Sequence, residues 1–584
     1  MPTFHNNDSR QSLIGSETSE LDILPLPNHG NSIDDPDVSR MATLTGSKHV
    51  QGPKWAHPLI LTAAFFANQS IWSTEMAYAS PFLQSLGLSR FQIALVFLAA
   101  PLSGLIVQPA IGASSDRCTS RFGRRRPFMF IGSILCGLFM LLLAWSLEVG
   151  EALGGGHNLE SLSPFFPSTV WTSLSTLVLI AASRTLVVDT LAKSEQEEAN
   201  MWISRMTGLG ALGGFFVGHL HLTSLPLIRN LGETQLQVLS ALVAVLLISF
   251  HLGTCLLVRE RVLVRRDESR THLSLDKYVK SAMTFVRKHT VHLPLQIKRV
   301  CWILFLSWIG WFPFMFFGAL WIGDIYRREH SNKSDYRTVE EIDQEASQAS
   351  AQSMMYYALV AFLSSLLLPL VVAPQKLLQE GTETLEESFS RSQWLIRPLQ
   401  KRFNLLTVWA FSQVVFALCL FSTVWTTTYA GASIIYAICG FPSALLHWAP
   451  HAILGESILA EVYEMPPPAS GQEQTALLAD EEAVAAPLPS PRGRRKPEQG
   501  VRDNPGIVLG VANVAVVSPQ FIVIAISAII FAIFEPGRSV IPGHGGGGRK
   551  PSEQFDSITM VFCLGGACAL ACIPIIRKLR REYD

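Results

Sequence analysis

GASSDRCTSRFGRRRPF, residues 112–128, carries the five arginines Arg117, Arg121, Arg124, Arg125 and Arg126 between two apolar runs, 89–113 and 126–148. Each run is long enough to cross ~30 Å of hydrocarbon at ~1.5 Å per residue. Loops rich in Lys and Arg stay on the cytoplasmic side of a membrane, so this stretch fixes the orientation of everything around it. Gly112 lets one helix end close to its neighbour, Asp116 can pair with Arg117 or the later arginines, and Gly123 supplies a tight turn before the next helix. Such a network, running from Gly112 to Arg126, can latch the cytoplasmic face. The plainer reading is a cluster of positive charge that only sets topology.

Working outward, apolar runs of spanning length recur at 57–79, 167–189, 200–222, 236–258, 296–321, 352–373, 404–427, 429–455, 505–534 and 557–576, making twelve with the first pair. Of the 584 residues only 16% are charged, against about 25% in soluble chains, and mean hydropathy is +0.29. No Lys or Arg occurs from Pro127 to Ser183 or from Phe403 to Pro491, whereas nine lie between Arg259 and Lys288. This alternation puts both termini in the cytoplasm. The segments are then a disordered tail (1–56), a six-helix half (57–258), a cytoplasmic central loop (259–295), a second six-helix half (296–576) with a flexible insert at about 457–503, and a short tail (577–584). Two six-helix halves are the arrangement of the major facilitators, an all-α membrane fold in which substrate binds between halves that rock about it. The tail and the insert, rich in Ser, Pro and Asp or Glu, suit cytosolic regulators.

Balanced charge, with 46 basic and 46 acidic residues, excludes a nucleic-acid binder built on a basic surface. Nine cysteines without CxxC spacing form no zinc knuckle and read as reduced thiols. His447 and His451 share a helix face at i, i+4 but lack a third ligand, and no P-loop, dinucleotide turn or GxSxG occurs. No enzyme activity, metal or resident cofactor is expected.

Ionisable groups inside membrane segments are costly and mark function. Glu75, Arg184 and Asp189 qualify; Arg205 lies close enough to a helix end to snorkel. Glu75 is the expected proton site, the alternative being a structural partner of a helix dipole or hydroxyl. Asp189 is the second candidate for proton coupling, and its placement favours a gate or an ion pair with Arg124 to Arg126. Sugars bind through hydroxyl hydrogen bonds and aromatic faces, which nominates Asn68, Gln69, Trp72, Trp311, Asn513 and Gln520. Gly210, Gly214 and Gly218, spaced by four, read as a packing stripe.

SSDRCTSRFGRRRPF resembles the GxxSDxxxSRxGRRRPF signature of the sucrose/proton symporter family, the glycoside-cation branch of the major facilitators. PLSGLIVQP, SRTLVVDTL, WIGWFPFMFF, GFPSALLHWAPHAIL and GIVLGVANVAVVSPQ follow in order. The pattern is closer to fungal and animal members than to plant ones. The resemblance implies uptake of an α-glucoside such as sucrose or maltose, driven by protons across the plasma membrane, with an internal organelle membrane as the alternative. It also assigns Arg184 to sugar and proton coupling. Two departures stand out. Plant members place an aspartate where this chain has Ser173, and their TDW after WFPF reads Ala319-Leu320-Trp321, with Asp324 four residues on, expected at the membrane surface. A proton-independent facilitator and a non-transporting sugar sensor are the competing expectations.

Overall fold

A computed structural model describes residues 43–45, 48–85, 88–102, 104, 111, 114–115, 118–152, 176, 179–180, 182–187, 189–191, 196–226, 228–265, 294–331, 338–372, 404–463, 505–534 and 556–583. The first apolar run is helical from its start: α1 (His57–Thr74) passes through a wide π-helical turn, Glu75–Ala79, into α2 (Ser80–Ser85). Such turns within α-helices are concentrated at functional sites. Then follow α3 (Arg90–Val96), α4 (Arg126–Ala144), α5 (Ser146–Ala152), α6 (Gln196–His219) and α7 (Gln235–Leu257). After the central loop come α8 (Leu295–Ser331), α9 (Val339–Val371), α10 (Leu405–Ser422), α11 (Tyr429–Ile438), α12 (Gly440–Tyr463), α13 (Pro505–Phe534) and α14 (Ser557–Tyr583). Ser89 with Gln92, Thr234 with Gln237 and Thr338 with Glu341 close capping boxes that start α3, α7 and α9.

Among the described residues, eight helices are long and apolar enough to cross a membrane. The expected spans 89–113 and 167–189 fall partly outside the described residues, which are helical at 90–96 and 182–187. Several helices exceed their expected ends: α12 runs on to Tyr463, and α14 continues to Tyr583 through most of what was expected as a short tail, 577–584. α8 runs to Ser331 and α9 begins at Val339, because polar turns beyond the lipid-facing part satisfy one another: Arg327 Nε donates to Asp343 at 2.6 Å and Tyr326 to Glu345 at 3.0 Å. Hydropathy marks only the apolar part of such helices. The N-terminal tail also departs from expectation at its end. Strand β1 (Thr43–Thr45) pairs antiparallel with β4 (Val262–Arg265), and β2 (His49–Val50) with β3 (Val258–Arg259). Strands of two to four residues leave too little alternation to be read from sequence. Of the insert 457–503, residues 457–463 continue α12 and the rest lies outside the described residues.

The glycine stripe lies where α6 packs along α1. A Cβ at Gly210 would collide with the Phe66 carbonyl, and one at Gly214 would lie 2.8 Å from Ser73 Cβ. The bare backbone also lets Ser70 donate to the Gly210 carbonyl at 3.4 Å. Gly210→Leu should destabilise the bundle by about 3 kcal/mol, seen as loss of the monodisperse peak in size-exclusion chromatography of detergent-extracted protein. An unchanged peak and melting midpoint would contradict this packing.

Helices on the two sides of the central loop meet through aromatic rings. Phe97 lies 4.4 Å from Phe316, Trp72 meets Phe316 edge-on at 6.0 Å, and Ser80 donates to the Phe316 carbonyl at 2.6 Å.

Candidate functional site

At the basic-loop end, Gly123 turns the chain at φ +112°, which an L side chain rarely adopts, and its missing Cβ leaves room for Glu260. Glu260 Oε1 accepts from the backbone N–H of Arg125 at 2.8 Å and of Arg126 at 3.0 Å, capping the start of α4 with negative charge. The guanidinium groups turn the other way. Arg124 and Arg125 both donate to Asp189 Oδ2, at 2.9 and 3.0 Å, and Arg125 also reaches Ser115. Ser115, Arg124, Arg125 and Asp189 precede the central loop and Glu260 lies at its very start, so the network braces one side of the molecule internally. Gly112, Asp116 and Arg117 lie outside the described residues. Glu260 was not singled out from sequence; its signal is the one acid between Arg259 and Arg261. Asp189→Asn leaves the nearly buried Arg125 short of a counter-charge and should cost about 2 kcal/mol, read as a lower melting midpoint in detergent. An unchanged midpoint would count against the brace.

The opposite end carries a network that does cross between the two sides. Arg90, 8% exposed at the start of α3, ion-pairs with Asp324 near the end of α8; it also donates to Ser557 Oγ at 3.1 Å and lies 3.7 Å from Asp556, where α14 begins. Asp324 takes a second guanidinium, Arg327, at 2.7 Å, and Arg328 approaches Asp556 at 3.9 Å. Asp324, expected at the membrane surface, is thus 9% exposed and shared by two arginines. Its desolvation is compensated by pairing that no sequence neighbour of Asp324 other than Arg327 supplies.

Between these ends lie the candidate substrate and proton groups. Glu75, in the wide turn, lines an apolar pocket with Trp72, Met76, Phe97, Leu143 and Phe316. Among the described residues nothing hydrogen-bonds or ion-pairs with its carboxyl. Asn68, two turns earlier, is 4% exposed, and among the described residues neither of its amide atoms has a hydrogen-bond partner. Gln69 and Trp72 are half-buried nearby on the same helix. Trp311 lies elsewhere: it is 1% exposed and stacked on Phe416 at 4.0 Å with the planes 3° apart. Asn513 is exposed on α13, and Gln520 donates to the Val516 carbonyl at 3.1 Å.

Arg184 does not join Glu75. It is exposed, and its guanidinium acts electrostatically on His447 and His451 of α12. Those histidines are exposed too. Arg184 and the two histidines come from segments before and after the central loop, so this influence links the two sides. Ala319 and Leu320, where the resemblance would place an acid, are fully buried in the apolar core.

A family model described as MFS/sugar transport protein matches residues 63–285. Beyond that segment, the general alpha-glucoside permease of Schizosaccharomyces pombe is 26% identical over 562 residues, covering 88% of this chain and 91% of its own. Over residues 63–285 the chain thus resembles the MFS sugar transporters. Sucrose transport protein SUC4 of Arabidopsis thaliana is 23% identical over 93% of this chain and 95% of its own, and SUC3 of the same plant 23% identical over 76% and 82%. Among solved structures, a mutant form of the nucleoside transporter NupG superposes with a TM-score of 0.52 at 10% identity, covering 89% of this chain and 99% of that one. That likeness concerns the fold alone.

These relatives are sugar transporters, and the eight helices of spanning length among the described residues agree with that likeness. The chain's groups fall into three sets along the bundle: an internal brace at Asp189 and Glu260, an interior with Glu75 on one side and Arg184 facing His447 on the other, and a cross-connection at Arg90. Arg90, His447 and Trp308 were not read from the sequence as functional residues. Their signal is weak, since each matters through a partner far away in sequence, Arg90 with Asp324 and Trp308 with His447.

Proposed function

We propose that this protein is a proton-coupled symporter of a neutral α-glucoside, sucrose or maltose, working by alternating access. The observation that carries the reading is the similarity to a general alpha-glucoside permease along nearly the whole of both chains. In this reading twelve helices form two halves, 57–258 and 296–576, in the plasma membrane with both termini cytoplasmic. The basic loops are then inside, and the Arg90 network is outside.

The mechanism follows from which network joins which parts. Arg90, Asp324 and Asp556 tie the halves together at the outer end, while the Arg124, Arg125 and Asp189 brace stays within the first half. Arg184, His447 and His451 are exposed. This combination describes a transporter closed to the outside. Turning outward requires the Arg90 pairs to part, which exposes the Glu75 pocket under Trp72 and Phe316 to external protons. Glu75 then takes up a proton, and sugar enters between the halves against Arg184, with Asn68, Gln69 and Trp72 on α1 and Asn513 and Gln520 on α13. An ionised carboxyl without a counter-charge is costly inside a membrane protein, at ~2.5 kcal/mol or more, so closing the apolar pocket favours the neutral acid. Coupling therefore runs through closure of the pocket rather than through a direct Glu75–Arg184 contact.

Radiolabelled maltose in a transport-deficient yeast tests the reading. Symport accumulates sugar above the external concentration and stops when a protonophore is added. Equilibration without accumulation would make the protein a facilitator, and no movement at all would make it a sensor.

A further inference from the structure

We propose that His447 is a substrate-contacting residue, and that its Nε2 accepts a hydrogen bond from one sugar hydroxyl while Arg184 donates to a neighbouring oxygen. The inference rests on the α-glucoside reading and deepens it. His447 Nδ1 lies 2.9 Å from the carbonyl of Ser443, one turn back on α12. A carbonyl only accepts, so Nδ1 carries the proton and Nε2 is left with a lone pair. The turn that holds it is itself held, because the Ser443 hydroxyl is bonded to Tyr357 at 2.6 Å. Trp308 of α8 meets the imidazole edge-on with ring centres 6.5 Å apart, which fixes the ring plane further.

What faces this lone pair decides the ligand. Arg184 comes from the first half and His447 from the second; both are exposed, and the guanidinium is near enough to act electrostatically on the imidazole. A guanidinium only donates and the Nε2 of this tautomer only accepts. Adjacent hydroxyls of a sugar supply both complements, one oxygen accepting from Arg184 while the next O–H donates to Nε2. A metal cation does not suit the site, since Arg184 repels it and no group of three or more His, Cys, Asp or Glu side chains gathers among the described residues. An anion would meet the Nε2 lone pair. His451, one turn on, bonds the His447 carbonyl and so continues the same polar edge. The neutral polyol is the class of ligand that fits, and by touching both halves it gives the sugar a grip on their relative position.

The test is maltose uptake by the full chain in transport-deficient yeast, normalised to protein at the membrane, with a set of mono-deoxy maltoses as probes. His447→Phe should raise KM for maltose about tenfold, the loss expected for one hydrogen bond, with the maximal rate per molecule nearly kept. His447→Gln, which retains an acceptor oxygen, should lose less. With the wild type, one mono-deoxy maltose should lose a similar factor, and with His447→Phe that same sugar should lose nothing further. An unchanged KM in His447→Phe, or equal losses for every deoxy sugar in wild type and variant, would overturn the contact while leaving the transport reading intact. Should His447→Phe fail to reach the membrane, the His447→Gln variant and the wild-type deoxy series decide, and a flat wild-type series overturns the proposal. If the wild type moves neither maltose nor sucrose, the α-glucoside reading falls and this inference falls with it.

Discussion

Glu75→Gln is expected to abolish uphill accumulation of sugar while leaving exchange of sugar down its gradient intact. The amide has nearly the volume of the carboxyl and mimics its protonated form, so the pocket formed with Trp72, Met76, Phe97 and Phe316 stays packed. What is lost is the ability to release a proton on the inside. Accumulation should fall to equality with the external concentration and stay there at every external pH. The measurement is steady-state accumulation and counterflow of labelled maltose in the same cells. If Glu75→Gln concentrates sugar at acidic external pH, the coupling acid lies elsewhere. Asp189 and Asp324 are then poor successors, because each is already held by two arginines.

Asp324→Asn should slow net uptake at least tenfold, through the outer end of the molecule. Breaking a buried ion pair by removing one partner costs about 3 to 5 kcal/mol, because the remaining charge stays desolvated. Asp556 at 3.7 Å from Arg90 offsets part of this, so about 2 kcal/mol remains against the outward-closed state. That shift favours the outward-open form and delays the return step, so the maximal rate falls while the apparent affinity for external sugar holds or improves. Replacing Arg90 as well, in an Arg90→Gln, Asp324→Asn double variant, removes the stranded charge and should recover part of the loss. Strictly additive defects in the double variant would show that the two residues do not act on each other.

The sequence made some parts of this legible and hid others for physical reasons. Long apolar runs with few charges identify membrane segments directly, and an acid or arginine inside one stands out by its cost, as Glu75 and Arg184 do. The Gly210, Gly214 and Gly218 stripe was readable for the same reason: helical spacing places all three on one face. Arg90 carries no such mark. It follows a cap residue at the start of a helix, where a lone arginine usually reaches toward headgroups, and its partner Asp324 lies 234 residues away. Trp311 shows the opposite difficulty. An aromatic in the family-like stretch WIGWFPFMFF suits sugar stacking by chemistry, yet its face is taken by Phe416. Residue type alone does not distinguish a ring facing a crevice from one facing another ring. Arg184 is a similar case: a charge inside an apolar run stands out in the sequence, but its action on His447 and His451, more than 250 residues away, does not.

Coupling of sugar to protons is the central claim, and purified protein in sealed liposomes tests it most directly. With an inside-alkaline pH gradient imposed and equal maltose on both sides, the account predicts net accumulation of maltose inside, collapse of that accumulation on adding a protonophore, and no accumulation with Glu75→Gln. Wild-type protein that exchanges maltose freely yet builds no concentration difference under the same gradient would contradict it.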